Sequence, residues 1–231
     1  MSDAGQIGWV AFHERRKASG RIPRWPNETM VRILFGNDYL KNLVSLPSGG
    51  HVLDVGCGFG QNLLPFIDRD FDCVGVEIDP QIVKVAREIA AERDLPVRFE
   101  QGQNQAVPFP DDSFDLVISI DTLHYEQTAE NARMALHEFA RVLKPEGAVY
   151  ISTIGPQHDM HARAEKLPDG RFRVQKCDFR DGELMYSFNT EQGLADALGE
   201  TFSIVETARS TQHLMRSNLY FLLAVAQRKR R

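Results

Sequence analysis

Apolar and polar positions recur in two registers along this chain, and the switches between them mark out its elements. Short runs rich in Val, Ile, Leu and Phe predict strands at 51–55, 72–77, 97–100, 114–120, 147–153, 202–208 and 219–226. Between them the apolar spacing lengthens to three or four residues. Ile82, Val85, Ala86, Ile89 and Ala90 predict one amphipathic helix; Ala129, Ala132, Leu136, Phe139 and Leu143 predict another, ended by Pro145-Glu146-Gly147. Strand–helix alternation predicts an α/β fold, a Rossmann-like doubly wound sheet that is mostly parallel and covered on both faces. The last two strands are separated only by Ala208–Asn218, which lacks helical periodicity, so they should form an antiparallel hairpin.

Two segments stand outside this alternation. Residues 1–46 hold a short amphipathic helix (Trp9–Lys17), then Arg21-Ile22-Pro23-Arg24-Trp25-Pro26, then a helix capped by Asn27. Residues 154–189 are a long polar connection with Pro168-Asp169-Gly170 as a turn signal. A connection of that length within one domain reads as a lid or binding loop. The expected organisation is one domain over 1–231. Residues 1–46 form a helical cap, 47–153 a ligand-binding core, 154–189 a lid, and 190–227 a C-terminal helix and hairpin.

The chemistry concentrates where strands end. Residues 52–60 read Val-Leu-Asp-Val-Gly-Cys-Gly-Phe-Gly, a strand running straight into glycines at alternate positions. Glycines let the backbone turn sharply and approach a ligand. Gly56, Gly58 and Gly60 give G-x-G-x-G, whereas a dinucleotide fingerprint has its third glycine one place later, where Gln61 stands. Asp54 sets a negative charge by the loop; it repels a pyrophosphate and attracts an ammonium group. Glu77 closes the second strand about twenty residues on, where a carboxylate accepts from ribose hydroxyls. Asp79 caps the following helix, with Pro80 at its first position.

Two later stretches continue the pattern. Gly102-Gln103-Asn104-Gln105 follows the third strand, and Leu116–Tyr125 carries a buried strand abruptly into polar residues. Ser119 and Ile120 should border the cofactor, and Asp121, His124 and Tyr125 the acceptor. An imidazole titrates near neutrality, so His124 suits a general base or a structural anchor equally.

In these pieces, taken in order, the chain resembles the class I S-adenosylmethionine-dependent methyltransferases. The resemblance is strong over about residues 50–155. It implies S-adenosylmethionine as cofactor and a seven-stranded sheet whose last strand is antiparallel. Gly56, Gly58 and their neighbours Cys57, Gly60 and Asn62 would wrap the methionine part, with Glu77 and Ile78 beside the ribose. Gln103 stands where family members commonly carry an aspartate that accepts from the adenine amino group; its amide oxygen can accept the same bond. Asn104 would offer a backbone N–H to the ring. A histidine near the position of His124 often lies close to the transferring methyl group.

Composition narrows the acceptor and the setting. A net charge of −5 over 231 residues argues against a broad nucleic-acid-binding surface. The longest apolar run, Leu219–Ala226, is too short to span a bilayer. Cys57, Cys73 and Cys177 lack paired spacing, and His158 and His161 lack ligand partners, so neither a disulfide framework nor a metal is expected. A cytoplasmic monomer or homodimer, free of nucleic acid and membrane, follows. Arginines crowd the two flanking segments. Arg24 with Trp25, and Arg171, are candidates for binding a small anionic or sugar-derived acceptor by paired hydrogen bonds. The predicted activity is methylation of an oxygen or nitrogen. A non-catalytic S-adenosylmethionine-binding protein and an NAD-dependent oxidoreductase are the alternatives.

Overall fold

His51–Val55 forms β1, and its alternation assigns each side chain a face. Leu53 and Val55 join one apolar cluster, Val52 the other. In the computed structural model, which describes residues 11–12, 14–19, 22–36, 46–176, 180–215 and 217–229, β1 lies near the centre of a seven-stranded sheet. The order is β3-β2-β1-β4-β5-β10-β9. The further strands are β2 (Asp72–Glu77), β3 (Val97–Gln101), β4 (Phe114–Ile120), β5 (Leu143–Ile154), β9 (Phe202–Leu214) and β10 (Ser217–Arg228). Pairing is parallel from β3 through β5 and antiparallel at β5–β10 and β10–β9.

Helices cover both faces. Pro80–Glu92 buries Ile82, Val83, Ala86, Ile89 and Ala90. Val83 therefore replaces the expected Val85, which falls on the flank of the stripe once each residue advances the helix by its usual turn. Ala129–Val142 packs Ala132, Leu136 and Phe139 into the larger cluster. That helix stops at Val142. Leu143 already belongs to β5, which passes through Pro145 and Glu146 before becoming fully buried, so the strand is longer than its apolar run suggests. The final hairpin outgrows its expected limits in the same way, because its cross-strand pairs continue beyond the apolar stretch.

On the opposite face Glu28–Phe35 buries Met30, and Phe35 meets Phe66 edge-on at 5.0 Å. Asn27 caps this helix as expected, its side chain accepting from the Met30 N–H at 2.9 Å. Residues 14–18 are helical too. Residues 1–10 and 37–45, together with His13, Arg21 and Cys177, lie outside the described residues.

The expected lid folds into a small unit of its own. It contains a short helix (Asp159–Ala162) and a three-stranded antiparallel sheet, β6 (Glu165–Lys166), β7 (Arg171–Arg173) and β8 (Leu184–Tyr186). Pro168–Gly170 turns between β6 and β7 as its residues predict. Ile154, Phe172, Val174 and Met185 give it an apolar centre, and β8 packs on the turn that follows β4. The unit is thereby anchored to the end of β4.

Local capping fixes where the helix after β2 begins. Asp79 accepts from the N–H groups of Gln81 at 2.8 Å and Ile82 at 3.4 Å, and Pro80 has no N–H that would need an acceptor there. Asp79→Ala is expected to cost about 0.5–2 kcal/mol of stability, read as an earlier chemical-denaturation midpoint with an unchanged slope.

Candidate active site

The carboxyl ends of β1 and β4 open onto a cavity of about 420 Å³. From β1 the chain winds outward to β2 and β3, and from β4 it winds the other way to β5. Ligands of open α/β sheets sit at such a reversal.

The glycine loop is shaped by its neighbours. Gly56 has a φ of 74°, and a Cβ there would stand 2.2 Å from Thr122 Cγ2. The N–H groups of Gly56 and Cys57 both donate to the Val76 carbonyl, at 2.8 and 3.0 Å. Gly58 N–H donates to Glu77 Oε2 at 3.1 Å, and Ile78 N–H to Glu77 Oε1 at 2.9 Å. Burial raises the pKa of Glu77 while those N–H donors pull it back. Gly60 has another reason to be glycine: its Cβ would lie 2.6 Å from the Phe99 ring. It serves packing and does not line the cavity.

Asp54 is 1% exposed, and neither carboxylate oxygen has a hydrogen-bond partner among the described residues. Burial, then the nearby Glu77, push its pKa up to about 8. A carboxyl buried without a donor, one residue behind the wall residue Val55, fits a group that meets a cation. The donor set therefore suits S-adenosylmethionine: Asp54 for the ammonium end, Glu77 for the ribose. Gln103 and Asn104 line the cavity beyond Glu77. Asn104 Nδ2 donates to Glu126 Oε1 at 2.6 Å, and Gln105 Nε2 donates to Glu126 Oε2. That bracket closes the end of the cavity beyond Glu77. Asn62 also lines the wall, and its Oδ1 accepts from the Asn27 N–H at 2.9 Å, tying the N-terminal segment to the loop.

At the other end β4 delivers Ile120 and Asp121 to the wall, followed by Thr122 and Tyr125. Asp121 has a φ of 58°, a left-handed conformation that a non-glycine residue adopts at a steric cost. Its N–H donates to the Ser152 carbonyl at 2.8 Å and its Oδ1 accepts from Ser152 Oγ at 3.0 Å. Burial holds its pKa up to about 7 against that hydrogen bond. His124 turns the other way: it is 2% exposed, does not line the cavity, and its ring lies 4.2 Å from that of Tyr125. Burial, then Arg180 and His158, hold the imidazole well below its usual pKa, so it stays neutral.

The structure thus brings Gly56, Cys57, Gly58, Asn62, Glu77, Ile78, Gln103, Asn104, Ile120, Asp121 and Tyr125 to one cavity. Asp54, Gly60, Ser119 and His124 lie behind that wall. Ser119 is buried, with its Oγ 2.6 Å from Thr122 Oγ1. The three residues proposed for the acceptor are not there. Trp25 is 84% exposed, Arg24 is exposed, and Arg171 Nε donates to the Pro168 carbonyl at 3.4 Å. Two further residues line the cavity, Glu126, which the sequence reading leaves out, and Arg180, which it holds only as one of the arginines of the flanking segments. Glu126 follows His124-Tyr125 directly, a usable signal; Arg180 had none beyond belonging to an arginine-rich segment.

Comparison with known proteins agrees with this geometry. Residues 52–147 match the family model described as a methyltransferase domain. An uncharacterized methyltransferase of Bacillus subtilis, YcgJ, is 40% identical over 97 residues, 42% of this chain and 37% of that protein. Ajmaline N-methyltransferase of Rauvolfia serpentina is 34% identical over 127 residues, 54% of this chain and 42% of that protein. The chain thus spans well under half the length of these two relatives. A solved S-adenosylmethionine-dependent methyltransferase of Methanosarcina mazei superposes with a TM-score of 0.69 at 20% identity, covering 80% of this chain and 95% of that one, a likeness of fold. Residues 52–147 thus carry a methyltransferase domain, and the matching relatives and folds support a class I S-adenosylmethionine-dependent methyltransferase, a family whose cofactor is S-adenosylmethionine. No helix among the described residues is long and apolar enough to cross a membrane.

The state of Asp54 sets a pH dependence. Its folded pKa lies above the ordinary 3.8, so the folded protein binds the extra proton between that value and about 8. Stability from this group is complete at the acid end of the window and declines as pH rises through it. Asp54→Asn is expected to flatten the thermal midpoint over that window while abolishing binding of S-adenosylhomocysteine.

Proposed function

We propose that this protein moves a methyl group from S-adenosylmethionine to an oxygen or nitrogen of a small metabolite by direct displacement. The observation that carries the reading is the pair of buried carboxylates at the ends of adjacent strands, Asp54 and Glu77, on either side of the glycine loop. When bound, the cofactor supplies an electrophilic methyl carbon on a sulfonium, with a thioether as leaving group. The remaining work is alignment, which can be worth about 7–11 kcal/mol without any proton transfer.

Each group on the wall has a definable task in that scheme. Asp54 neutralises the ammonium, and Glu77 accepts from the ribose while holding the Gly58 N–H. Gln103 and the Asn104 backbone face the base. Asp121 carries the pKa suited to taking a proton from the acceptor near neutrality, and Ser152 fixes its direction. His124 belongs to the layer behind Tyr125; a proton placed on it would stand near the Arg180 guanidinium. We therefore favour Asp121 over His124 as the proton acceptor. Tyr125 walls the acceptor side.

The dinucleotide alternative conflicts with a carboxylate beside the loop and with the G-x-G-x-G spacing. Calorimetry with S-adenosylhomocysteine and with NADH separates the two, and heat only from NADH would end the methyltransferase reading. Glu77→Gln should weaken S-adenosylhomocysteine binding by about tenfold or more, the worth of a hydrogen bond to a charged acceptor. Transfer of a tritiated methyl group into a pool of small metabolites distinguishes an enzyme from a cofactor-binding scaffold. In the same assay Asp121→Asn should cut turnover by about a hundredfold or more with cofactor affinity unchanged. His124→Asn should affect it far less, and the reverse order would reassign the base.

A further inference from the structure

The lid contributes a cation to the cavity wall. Arg180 precedes β8, is 1% exposed, and lines the same cavity as Asp121 and Tyr125. Its guanidinium carbon lies 4.2 Å from the centre of the Tyr125 ring, and its Nη1 donates to Glu183 Oε2 at 2.8 Å. Glu183 is buried as well, so the pair is withdrawn from solvent as a unit. A guanidinium kept this dry needs fixed surroundings, and here it has them: an aromatic face, a carboxylate, and a strand packed on the turn after β4. Its five N–H donors lie in one plane.

Other charged residues also line the cavity. Glu77 holds the glycine loop, Glu126 holds Asn104 and Gln105, and Arg16 stacks on Phe12 at 4.6 Å. At the acceptor end stand Asp121 and Arg180, opposite in sign. Building on the methyltransferase reading, we infer that Arg180 binds an anionic group of the acceptor, a carboxylate or a phosphate, while Asp121 faces its nucleophilic atom. The acceptor class is then a small molecule with an anion at one end and a hydroxyl or amine at the other. Planar, paired donation is what a guanidinium offers such an anion and what an ammonium does not. Glu183 and Tyr125 orient the fork.

The test uses the full chain, with and without saturating S-adenosylhomocysteine, titrated at constant ionic strength with acetate, inorganic phosphate or neutral acetamide. The thermal midpoint is recorded for the wild type, R180K, R180Q and the double variant R180Q/E183Q. The double variant avoids stranding a buried carboxylate should R180Q alone fail to fold. Expected is a saturable rise with acetate or phosphate in the wild type, and none with acetamide. The stronger anion identifies carboxylate or phosphate. In R180Q/E183Q the anion response should weaken by about tenfold or more, with S-adenosylhomocysteine affinity within about twofold of wild type. R180K should keep part of the response. An equal anion response in the double variant, or none in the wild type, would overturn the assignment. Failure of S-adenosylhomocysteine to bind the wild type would instead remove the methyltransferase reading, and the arm without it still decides whether Arg180 holds an anion.

Discussion

The site depends on the way the turn after β1 is stitched to the end of β2. Three successive N–H groups, on Gly56, Cys57 and Gly58, are taken up by the Val76 carbonyl and the Glu77 carboxylate. Those bonds force the chain across the strand ends instead of away from them. One set of contacts thereby defines the loop, aims Glu77, and leaves Asp54 in a dry space behind Val55. Thr122 then sets how near the loop comes to β4, because its side chain occupies the space that a Cβ on Gly56 would need. The cavity is what remains between these two strand ends.

Electrostatics follows from that packing. Three carboxylates, at 54, 77 and 121, are drawn from water at the ends of three strands, and each has its pKa raised by burial. They differ in what compensates them. Glu77 has backbone donors, Asp121 has Ser152, and Asp54 has no hydrogen-bond donor among the described residues. Identical chemistry is thus divided into a structural clamp, an oriented carboxylate near neutrality, and a buried carboxyl with no donor among the described residues. The difference comes from the number of N–H and O–H groups in reach.

Much of this was legible in the sequence because strand ends and glycine loops are written locally. Apolar runs mark the limits of β1, β2 and β4, since strands buried on both faces read as nearly continuous apolar stretches. Asp54, Glu77 and Asp79 declared themselves by spacing. The long final strands did not, because β5, β9 and β10 extend by backbone pairing beyond their apolar residues. The acceptor side was least legible. Trp25 and Arg24 look functional in sequence, yet they face solvent; Arg180 looks like any other arginine of its segment and is buried. Its placement comes from the fold of the three-stranded unit around Phe172 and Met185, a long-range packing that no local pattern encodes.

The hairpin that closes the sheet also has a second duty. Gly155, where the lid leaves β5, donates its N–H to the Tyr220 carbonyl at 2.9 Å, and Asn218 Nδ2 holds the Gln157 carbonyl at 2.9 Å. His158 rests edge-on against Phe221 at 5.3 Å. Residues 218–221 are therefore the hinge plate on which the insertion is mounted. Transplanting 154–189 alone onto a related scaffold would carry the insertion without its mounting; the graft has to include this piece of β10 to keep the contacts that hold it.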